Sequence, residues 1–304
     1  MALAVVFPGQ GSQFVGMGRD FYENFDSCKA FFDKADDCLG YSLSKIMFEG
    51  SEDELRLTQN TQPALLTMSA AVWSVVRDKV SADFFAGHSL GEYAAVYAAG
   101  GLSFEDAVKA VHNRGKFMQS AVPVGEGAMA AVLGMTDQDV AEACKEFSKD
   151  GAIVEPANFN CPGQVVVAGH AKVFPEFVDF IKAKGAKRAV SLPVSAPFHC
   201  SLMTPAKDAM EKYFSDVAFS HLKTPVINNI DAVEELEAAQ VKDALIRQVA
   251  GAVRWTDVIR MMISKGADTF VEVGAGAVLT GLIKKIDKNV SCINISSVDD
   301  LAKL

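Results

Sequence analysis

The pentapeptide Gly87-His88-Ser89-Leu90-Gly91 constrains the fold of this chain more than any other feature. The run Asp83-Phe84-Phe85-Ala86 before it favours a strand, and residues 92–99 after it favour a helix. A strand that turns sharply through small residues into a helix forms a nucleophile elbow, which exposes the serine beside backbone N–H groups. We therefore predict that Ser89 is a catalytic nucleophile. The alternative is a tight turn in which Ser89 only caps the helix.

Strand-like and helix-like segments alternate on both sides of this pentapeptide. Ser103-Phe104-Glu105-Asp106 is typical of a capping box, here beginning a helix that continues to about residue 120. Pro63 stands near the start of a helix predicted to reach residue 79. Further strands are predicted at 3–7, 225–229 and 269–273, and a further helix at 241–249. This order predicts an α/β fold whose largely parallel sheet is covered by helices.

Residues from about 127 to 195 depart from that rhythm. Their pattern predicts a strand, a helix, two strands, a helix and a strand, at 128–133, 137–148, 153–157, 164–168, 173–184 and 189–194. The β-α-β-β-α-β order is typical of a ferredoxin-like module. We predict that residues 123–195 form a small subdomain, inserted into a large domain made of residues 1–122 and 196–304. The cleft between two such units is a common place for a ligand.

Composition argues against several classes of protein. Of the 304 residues, 50% are hydrophobic and 22% are charged, which is enough for a sizeable core. The net charge of −9 argues against non-specific nucleic-acid binding, which needs a basic face. The six cysteines lack C-x-x-C spacing, which predicts reduced thiols in a cytoplasmic protein rather than disulfides or a zinc site. The sequence has no run of about 18 apolar residues, so we expect no membrane span.

We expect neither a bound metal nor a tightly bound cofactor. The turn Gly274-Ala275-Gly276 follows a predicted strand and is similar to the start of a dinucleotide-binding loop. The third glycine of that fingerprint would fall at Leu279, so the fingerprint fails. Nothing in the sequence requires an oligomer, and we expect a monomer.

A serine needs a base to become a strong nucleophile, and histidine is the usual one. The chain offers His88, His112, His170, His199 and His221. His199 fits best because it follows the proline-containing loop 195–198, late in the chain, as in hydrolases with an elbow. His221 could equally be a surface histidine, and His88 is expected to support the elbow. No acidic residue stands out as a third member, which leaves room for a serine–histidine pair oriented by a carbonyl group.

Arg114 is the residue that discriminates between possible substrates. It precedes Gly115 within an amphipathic helical pattern, which suggests that another segment packs closely against that turn. An arginine can bind a carboxylate through two parallel hydrogen bonds. The alternative interpretation is an arginine in solvent.

Together these motifs identify a family. The chain resembles the bacterial malonyl-CoA:acyl-carrier-protein transacylases nearly from end to end. The motifs that carry the resemblance are Phe7-Pro8-Gly9-Gln10-Gly11-Ser12-Gln13, Thr61-Gln62-Pro63-Ala64-Leu65, the elbow with Glu92-Tyr93, Arg114-Gly115-Lys116-Phe117-Met118-Gln119, Asn158-Phe159-Asn160-Cys161-Pro162-Gly163-Gln164, Pro197-Phe198-His199, Val271-Glu272-Val273-Gly274 and Leu279-Thr280-Gly281-Leu282. The resemblance implies an α/β-hydrolase-like core with a parallel sheet and an inserted ferredoxin-like subdomain.

The resemblance also implies a reaction. Ser89 would take a malonyl group from malonyl-CoA and pass it to the phosphopantetheine thiol of acyl carrier protein, for fatty acid synthesis. His199 would be the base, and Arg114 would bind the free carboxylate of the malonyl group. Phe198, which precedes the base, mildly favours malonyl over methylmalonyl substrates.

Five further residues receive supporting roles from the same resemblance. The backbone N–H groups of Gln10 and Leu90 would form the oxyanion hole. The backbone carbonyl of Gln248 would hold the histidine, which fits the missing acidic partner. His88 and Asn160 would line the site behind the reacting groups.

Two other functions are compatible with parts of this sequence. A serine thioesterase or hydrolase would share the elbow but let water resolve the acyl-enzyme. A scaffold that binds carrier protein without catalysis would share the fold, although the presence of both Ser89 and His199 argues against it.

Overall fold

The computed structural model describes residues 2–148, 151–194 and 196–304. Within these residues the chain forms ten strands and thirteen α-helices. The strands are β1 (Ala2–Phe7), β2 (Phe84–Gly87), β3 (Gly127–Leu133), β4 (Val154–Cys161), β5 (Gln164–His170), β6 (Arg188–Ser191), β7 (Val226–Ile227), β8 (Glu234–Glu235), β9 (Ala267–Val273) and β10 (Ser291–Ile295). The helices are α1 (Arg19–Asn24), α2 (Asp26–Leu39), α3 (Leu43–Glu49), α4 (Glu52–Arg56), α5 (Thr58–Val76), α6 (Gly91–Ala98), α7 (Phe104–Ala121), α8 (Asp137–Phe147), α9 (Phe174–Ala183), α10 (Thr204–Tyr213), α11 (Ala238–Gln248), α12 (Trp255–Ser264) and α13 (Val278–Ile286).

Six strands form a sheet in the order β10-β9-β1-β2-β7-β8, parallel except for the last pair. β1 lies inside the sheet, and its last four residues are fully buried, as expected for a strand covered on both faces. Phe7 at the end of β1 pairs with Gly87 at the end of β2. The carboxyl ends of parallel strands meet at one edge of the sheet, where ligands of α/β proteins bind. The loop after β1 and the elbow after β2 therefore lie side by side.

A second sheet has four antiparallel strands in the order β4-β5-β3-β6. Along the chain its elements follow the order β3-α8-β4-β5-α9-β6. Val132, Val140, Val165 and Phe177 belong to a separate core cluster that joins this sheet to α8 and α9. The predicted mixed α/β class is confirmed. The boundary proposed at residue 195 lies outside the described residues, so the division into 1–122 with 196–304 and 123–195 stays a prediction.

The helix around Pro63 begins earlier than predicted. α5 starts at Thr58, so Pro63 lies inside it rather than near its start. A proline has no N–H for the carbonyl four residues before it, here that of Gln59. His112 of α7 approaches this carbonyl with its Nδ1, at 2.9 Å, and must be the donor. Gly115 permits the contact, because a Cβ there would lie 2.7 Å from the Thr58 carbonyl oxygen. α7 thus supplies the donor that α5 lacks.

Several elements have no counterpart in the sequence predictions, among them α12 and β10. α12 (Trp255–Ser264) covers the sheet between β7 and β9, and β10 adds an edge strand whose residues are mostly half-buried. An edge strand with one covered face gives a weak sequence signal, because its polar and apolar residues are mixed. None of the helices in the described ranges is long and apolar enough to cross a membrane.

Candidate active site

The elbow places Ser89 in a backbone conformation that non-glycine residues rarely adopt. Its φ is 53°, in the left-handed region, which costs about 1–2 kcal/mol for an L-residue. The flanking glycines are sterically required. A Cβ on Gly87 would lie 1.9 Å from the Gly91 carbonyl carbon, and one on Gly91 would lie 2.2 Å from the Phe7 carbonyl oxygen. The strand, the turn and the helix can pack this closely only with glycine at both positions.

Asn229, in the loop after β7, holds the elbow in this conformation. Its Oδ1 accepts the Ser89 N–H at 2.7 Å, and its Nδ2 donates to the Gly87 carbonyl at 2.8 Å. The side chain is fully buried. These two hydrogen bonds offset the strain of the turn, since buried hydrogen bonds each contribute about 1 kcal/mol.

His199 is paired with the serine. Its Nε2 lies 2.7 Å from Ser89 Oγ, and its Nδ1 lies 2.9 Å from the backbone carbonyl oxygen of Gln248. A carbonyl can only accept, so Nδ1 carries the hydrogen and Nε2 has the free lone pair that faces the serine. Burial, helped by the nearby charge of Arg114, lowers the pKa of His199 to about 3. The ring is therefore neutral at neutral pH and able to accept the serine proton.

Arg114, on α7, extends to the Ser89 hydroxyl from below the cleft, and it is 1% exposed. Its Nη1 donates to Gln62 Oε1 at 2.8 Å, and its Nη2 donates to Gln248 Oε1 at 2.7 Å and to Ser89 Oγ at 3.1 Å. Its guanidinium carbon lies 5.6 Å from the centre of the Tyr93 ring. All three acceptors are neutral, and no described carboxylate forms an ion pair with Arg114. Burying a charge without a paired opposite charge is costly, so this arrangement favours binding of an anion beside the serine.

A buried network of hydrogen bonds lies below these groups. Gln248 Nε2 donates to the Ser89 carbonyl and to Glu92 Oε2, both at 2.9 Å. The same carboxylate oxygen accepts the Asn229 N–H at 2.9 Å. Burial raises the pKa of Glu92 to about 8, while the hydrogen bond from Gln248 opposes the shift.

The cleft above Ser89 contains about 530 Å³ of empty space. Its lining residues are Gln10, Gln62, His88, Ser89, Arg114, Met118, Met129, Asn158, Leu192, Val194, Phe198 and His199. A second groove, of about 1250 Å³, shares Gln10, His88, Asn158, Leu192 and Val194 with it and continues between the loop after β1 and α13. Ser89, Arg114 and His199 thus lie at the inner end of a longer depression.

The other predicted site residues lie around this cleft. The backbone N–H groups of Gln10 and Leu90 donate to no other described residue, so both are free to bind an oxygen atom. His88 Nε2 lies 2.9 Å from Asn160 Oδ1, and the His88 ring packs against Trp255. The His88 side chain is thus directed at β4 and α12 rather than at the serine hydroxyl.

The structure does not bring the remaining histidines into the site. His221 is exposed and lies 3.3 Å from Glu237 on the surface, while His112 and His170 bond to backbone groups elsewhere. Sequence reasoning missed three buried residues that shape the site: Gln62, Glu92 and Asn229. Gln62 and Glu92 stand within motifs that carry the resemblance, but only their contacts reveal what they do. In the described part of the chain, no three His, Cys, Asp or Glu side chains are arranged to hold a metal ion.

Comparisons with known proteins agree with this geometry. The family model of the acyl transferase domain matches residues 4–298. The malonyl CoA-acyl carrier protein transacylase of Bacillus subtilis (strain 168) is 45% identical over 300 residues, which are 98% of this chain and 95% of that protein. The protein of the same name from Salmonella typhimurium (strain LT2) is 46% identical over 304 residues, 99% of this chain and 97% of its own.

Solved structures with a similar fold are malonyltransferases as well. The crystal structure of an acyl carrier protein S-malonyltransferase from Vibrio cholerae matches with a TM-score of 0.96 and 44% identity, covering 100% of this chain and 99% of that one. A malonyl-transacylase in complex with its type II PKS acyl-carrier protein matches with a TM-score of 0.96 and 42% identity, covering 100% and 98%. The chain belongs to the acyl transferase family and, within it, to the malonyl CoA-acyl carrier protein transacylases.

Proposed function

We propose that this protein transfers a malonyl group from malonyl-CoA to the phosphopantetheine thiol of acyl carrier protein, and so supplies fatty acid synthesis. The observation that carries the proposal is the position of Arg114. Its guanidinium is buried among neutral acceptors and contacts the nucleophile, with 3.1 Å between Nη2 and Ser89 Oγ. A carboxylate on the acyl group is the anion that such a site can bind next to an attacking serine.

In the first half-reaction, Ser89 attacks the thioester. His199 Nε2 removes the hydroxyl proton while Oγ forms a bond to the thioester carbon. The negative charge that develops on the carbonyl oxygen is stabilised by the free N–H groups of Gln10 and Leu90, and one such donor contributes about 10²–10³ in rate. The carbon–sulfur bond then breaks, and coenzyme A leaves with the proton from His199. The product is a malonyl ester on Ser89.

The second half-reaction reverses these roles with a new thiol. His199 takes the proton of the phosphopantetheine thiol, and the sulfur attacks the ester carbon. The Ser89 oxygen leaves and recovers its proton from His199. The Gln248 carbonyl holds the imidazole in the required tautomer through both steps, which is the role that a carboxylate has in a three-membered triad.

Arg114 accounts for selectivity in this mechanism. When malonyl-CoA binds, Nη2 exchanges its contact with Ser89 Oγ for the substrate carboxylate, which frees the nucleophile. Acetyl-CoA has no carboxylate and would leave the guanidinium without an opposite charge. Sites built around a polar substrate group reject analogues lacking that group by about 10⁴–10⁵.

We propose the surroundings of this site as part of the same function. The groove beyond the cleft, between the loop after β1 and α13, would hold the pantetheine arm shared by both substrates. Residues 1–122 and 196–304 would form the large domain, and residues 123–195 the small one. The enzyme would act as a monomer in the cytoplasm without a tightly bound cofactor. Its six cysteines are free thiols, the state that a reducing compartment maintains.

Intact-protein mass spectrometry tests the proposal against a serine hydrolase. After incubation with malonyl-CoA, we expect a malonyl adduct on Ser89 that persists in buffer and disappears when holo-carrier protein is added. The matched control is carrier protein without phosphopantetheine, which offers no thiol and should leave the adduct in place. Loss of the adduct to water at the same rate with and without holo-carrier would identify a hydrolase, and no adduct would contradict the proposal.

A further inference from the structure

A buried carboxyl group lies one layer below Ser89, His199 and Arg114, and the mechanism above does not use it. Glu92, in the first turn of α6, is 1% exposed. We propose that Glu92 is a positioning residue, which fixes the orientation of the Gln248 carboxamide and thereby the resting position of Arg114. This inference rests on the proposed function, since it assigns Glu92 a part in the selectivity for a carboxylated acyl group.

The argument begins with the two ends of the Gln248 side chain. Its nitrogen faces three acceptors: the Ser89 carbonyl and Glu92 Oε2, both at 2.9 Å, and more distantly Asn229 Oδ1 at 3.5 Å. Its oxygen faces a donor, Arg114 Nη2, at 2.7 Å. An amide nitrogen can only donate and an amide oxygen can only accept. If the carboxamide flipped, its N–H groups would face the guanidinium, and its oxygen would face three other oxygens.

Glu92 supplies one of the two closer acceptors. Without its carboxyl group, the Gln248 nitrogen would keep the Ser89 carbonyl at 2.9 Å and only the longer contact with Asn229 Oδ1 at 3.5 Å. Gln248 is fully buried, so no bulk water replaces a lost partner. An unsatisfied buried donor is costly, and the carboxamide would then sample other orientations. Arg114 would lose its shortest hydrogen bond whenever the carboxamide turned.

The same carboxylate also supports the elbow. Glu92 Oε2 accepts the Asn229 N–H at 2.9 Å, and the Asn229 side chain binds both Ser89 and Gly87. Through Gln248, whose backbone carbonyl holds His199, the network also reaches the base. One oxygen atom thus connects the supports of the nucleophile, the base and the substrate-binding arginine.

A double-mutant cycle tests whether Glu92 acts through the Gln248 side chain. Glu92→Met removes the acceptor, and Gln248→Met removes the carboxamide but keeps the backbone carbonyl that binds His199. We expect each variant to lower kcat/KM for malonyl-CoA about 10–100-fold, the effect of an unpaired buried group, and to lower the malonyl-to-acetyl preference. The double variant should be much less impaired than the product of the two single effects, because each single variant already removes the hydrogen bond between Glu92 and Gln248. Independent effects, which multiply, would overturn the proposal.

Matched variants separate positioning from a general loss of stability. Glu92→Gln keeps an acceptor oxygen and should retain most of the malonyl-to-acetyl preference. Glu235, which is 5% exposed and binds Asn228 Nδ2 at 2.7 Å, is a second buried carboxylate nearby that does not contact Gln248. Glu235→Met should lower the melting temperature without changing the preference. If Glu235→Met shifts the preference as much as Glu92→Met does, the positioning role is wrong.

A shorter side chain keeps the test decisive if Glu92→Met fails to fold. Glu92→Asp retains a buried carboxylate but withdraws it by about one methylene length, so it should still lower the malonyl-to-acetyl preference. An unchanged preference in Glu92→Asp would contradict the proposal. The wild-type enzyme reports separately on the proposed function. If it forms no malonyl-Ser89, the transferase mechanism fails, whereas normal loading with an unaltered preference in Glu92 variants rejects only the role of Glu92.

Discussion

The two sides of the cleft are built in different ways. The polar side, made of Gln62, Ser89, Arg114, His199 and Gln248, rests on the six-stranded sheet and its helices, and every member is hydrogen-bonded to another. The apolar side, made of Met129, Leu192 and Val194, comes from β3 and the segment after β6, in the four-stranded sheet region. Hydrogen-bonded groups depend on each other's geometry, whereas apolar contacts depend mainly on area. The polar side should therefore determine the chemistry, and the apolar side only the fit.

The largest effect on activity is expected from removing Ser89 or His199 on the polar side. Ser89→Ala should abolish the malonyl adduct, and His199→Ala should lower transfer by about 10⁴-fold or more, since the two residues act as a unit. The measurement is the single-turnover rate of adduct formation, with circular dichroism to confirm folding. The matched control is His221→Ala at the surface, which should behave as wild type. Substantial adduct formation in His199→Ala would mean that another group removes the proton.

Arg114 should give the next largest effect, with a change in selectivity as well as rate. Arg114→Ala should lower kcat/KM for malonyl-CoA by about 10³-fold or more, because the buried contact with the substrate carboxylate is lost, while kcat/KM for acetyl-CoA changes little. Arg114→Lys should restore little of the loss, since an ammonium group cannot bind Gln62, Gln248 and the carboxylate in the geometry of a guanidinium. Competition between the two acyl-CoAs measures the ratio. Arg254→Ala, at a surface arginine paired with Asp257, is the control, and an intact preference in Arg114→Ala would refute the assignment.

The pH dependence distinguishes the buried His199 from an ordinary histidine. Burial first, and then the charge of Arg114, lowers its pKa from 6.5 to about 3. His199 stays neutral in the folded enzyme below pH 6.5. The acylation rate should therefore not show the decrease near pH 6.5 that a base with an ordinary histidine pKa would cause. The unfolded chain takes up a proton near pH 6.5 that the folded enzyme does not, so this residue's contribution to stability is present above 6.5 and is lost as the pH falls toward 3.

Single-turnover acylation measured between pH 5 and 8 tests this directly, because the wild type should show no acid limb near pH 6.5. In Arg114→Met the acid limb should move to higher pH, because the positive charge that lowers the pKa of His199 is gone. A wild-type limb near 6.5, unmoved by Arg114→Met, would show that His199 titrates as if exposed to solvent.

The smallest effect is expected on the apolar side. Leu192 is half-buried and lines the cleft. Leu192→Ala removes contact area worth about 1 kcal/mol, so kcat/KM for malonyl-CoA should fall only about fivefold, with no change in the malonyl-to-acetyl ratio. Val190→Ala, at a residue of β6 that does not line the cleft and is 48% exposed, should have no effect. If Leu192→Ala changed the malonyl-to-acetyl ratio, the apolar side would also contribute to selectivity, which would contradict the distinction between the two sides.

The fold class and the family could be predicted because they depend on local patterns. The strand–turn–helix at Ser89 and the alternation around it are visible within short windows, and both predictions are confirmed by the fold and by the relatives. The supports of the site are not local. Asn229 is 140 residues from Ser89, and Gln248 is 156 residues from Glu92. Nothing in one sequence states that such residues meet, because only the folded sheet brings them together.

Boundaries were less predictable where tertiary contacts override local preference. Pro63 favours the start of a helix, yet α5 begins at Thr58 because α7 provides a hydrogen-bond donor for the carbonyl that the proline leaves free. The roles of all the site residues stay predictions, those of Ser89, His199, Arg114 and Gln248 as well as those implied for Gln10, Leu90, Asn160 and His88, which lie in or beside the cleft.

The contact between His112 and the Gln59 carbonyl also has an evolutionary consequence. With a proline at position 63, loss of the histidine donor leaves the Gln59 carbonyl of α5 without its hydrogen bond. With any other residue at 63, the helix supplies its own N–H and the histidine becomes dispensable. The two positions therefore form an epistatic pair, in which the fitness effect of one substitution depends on the history of the other.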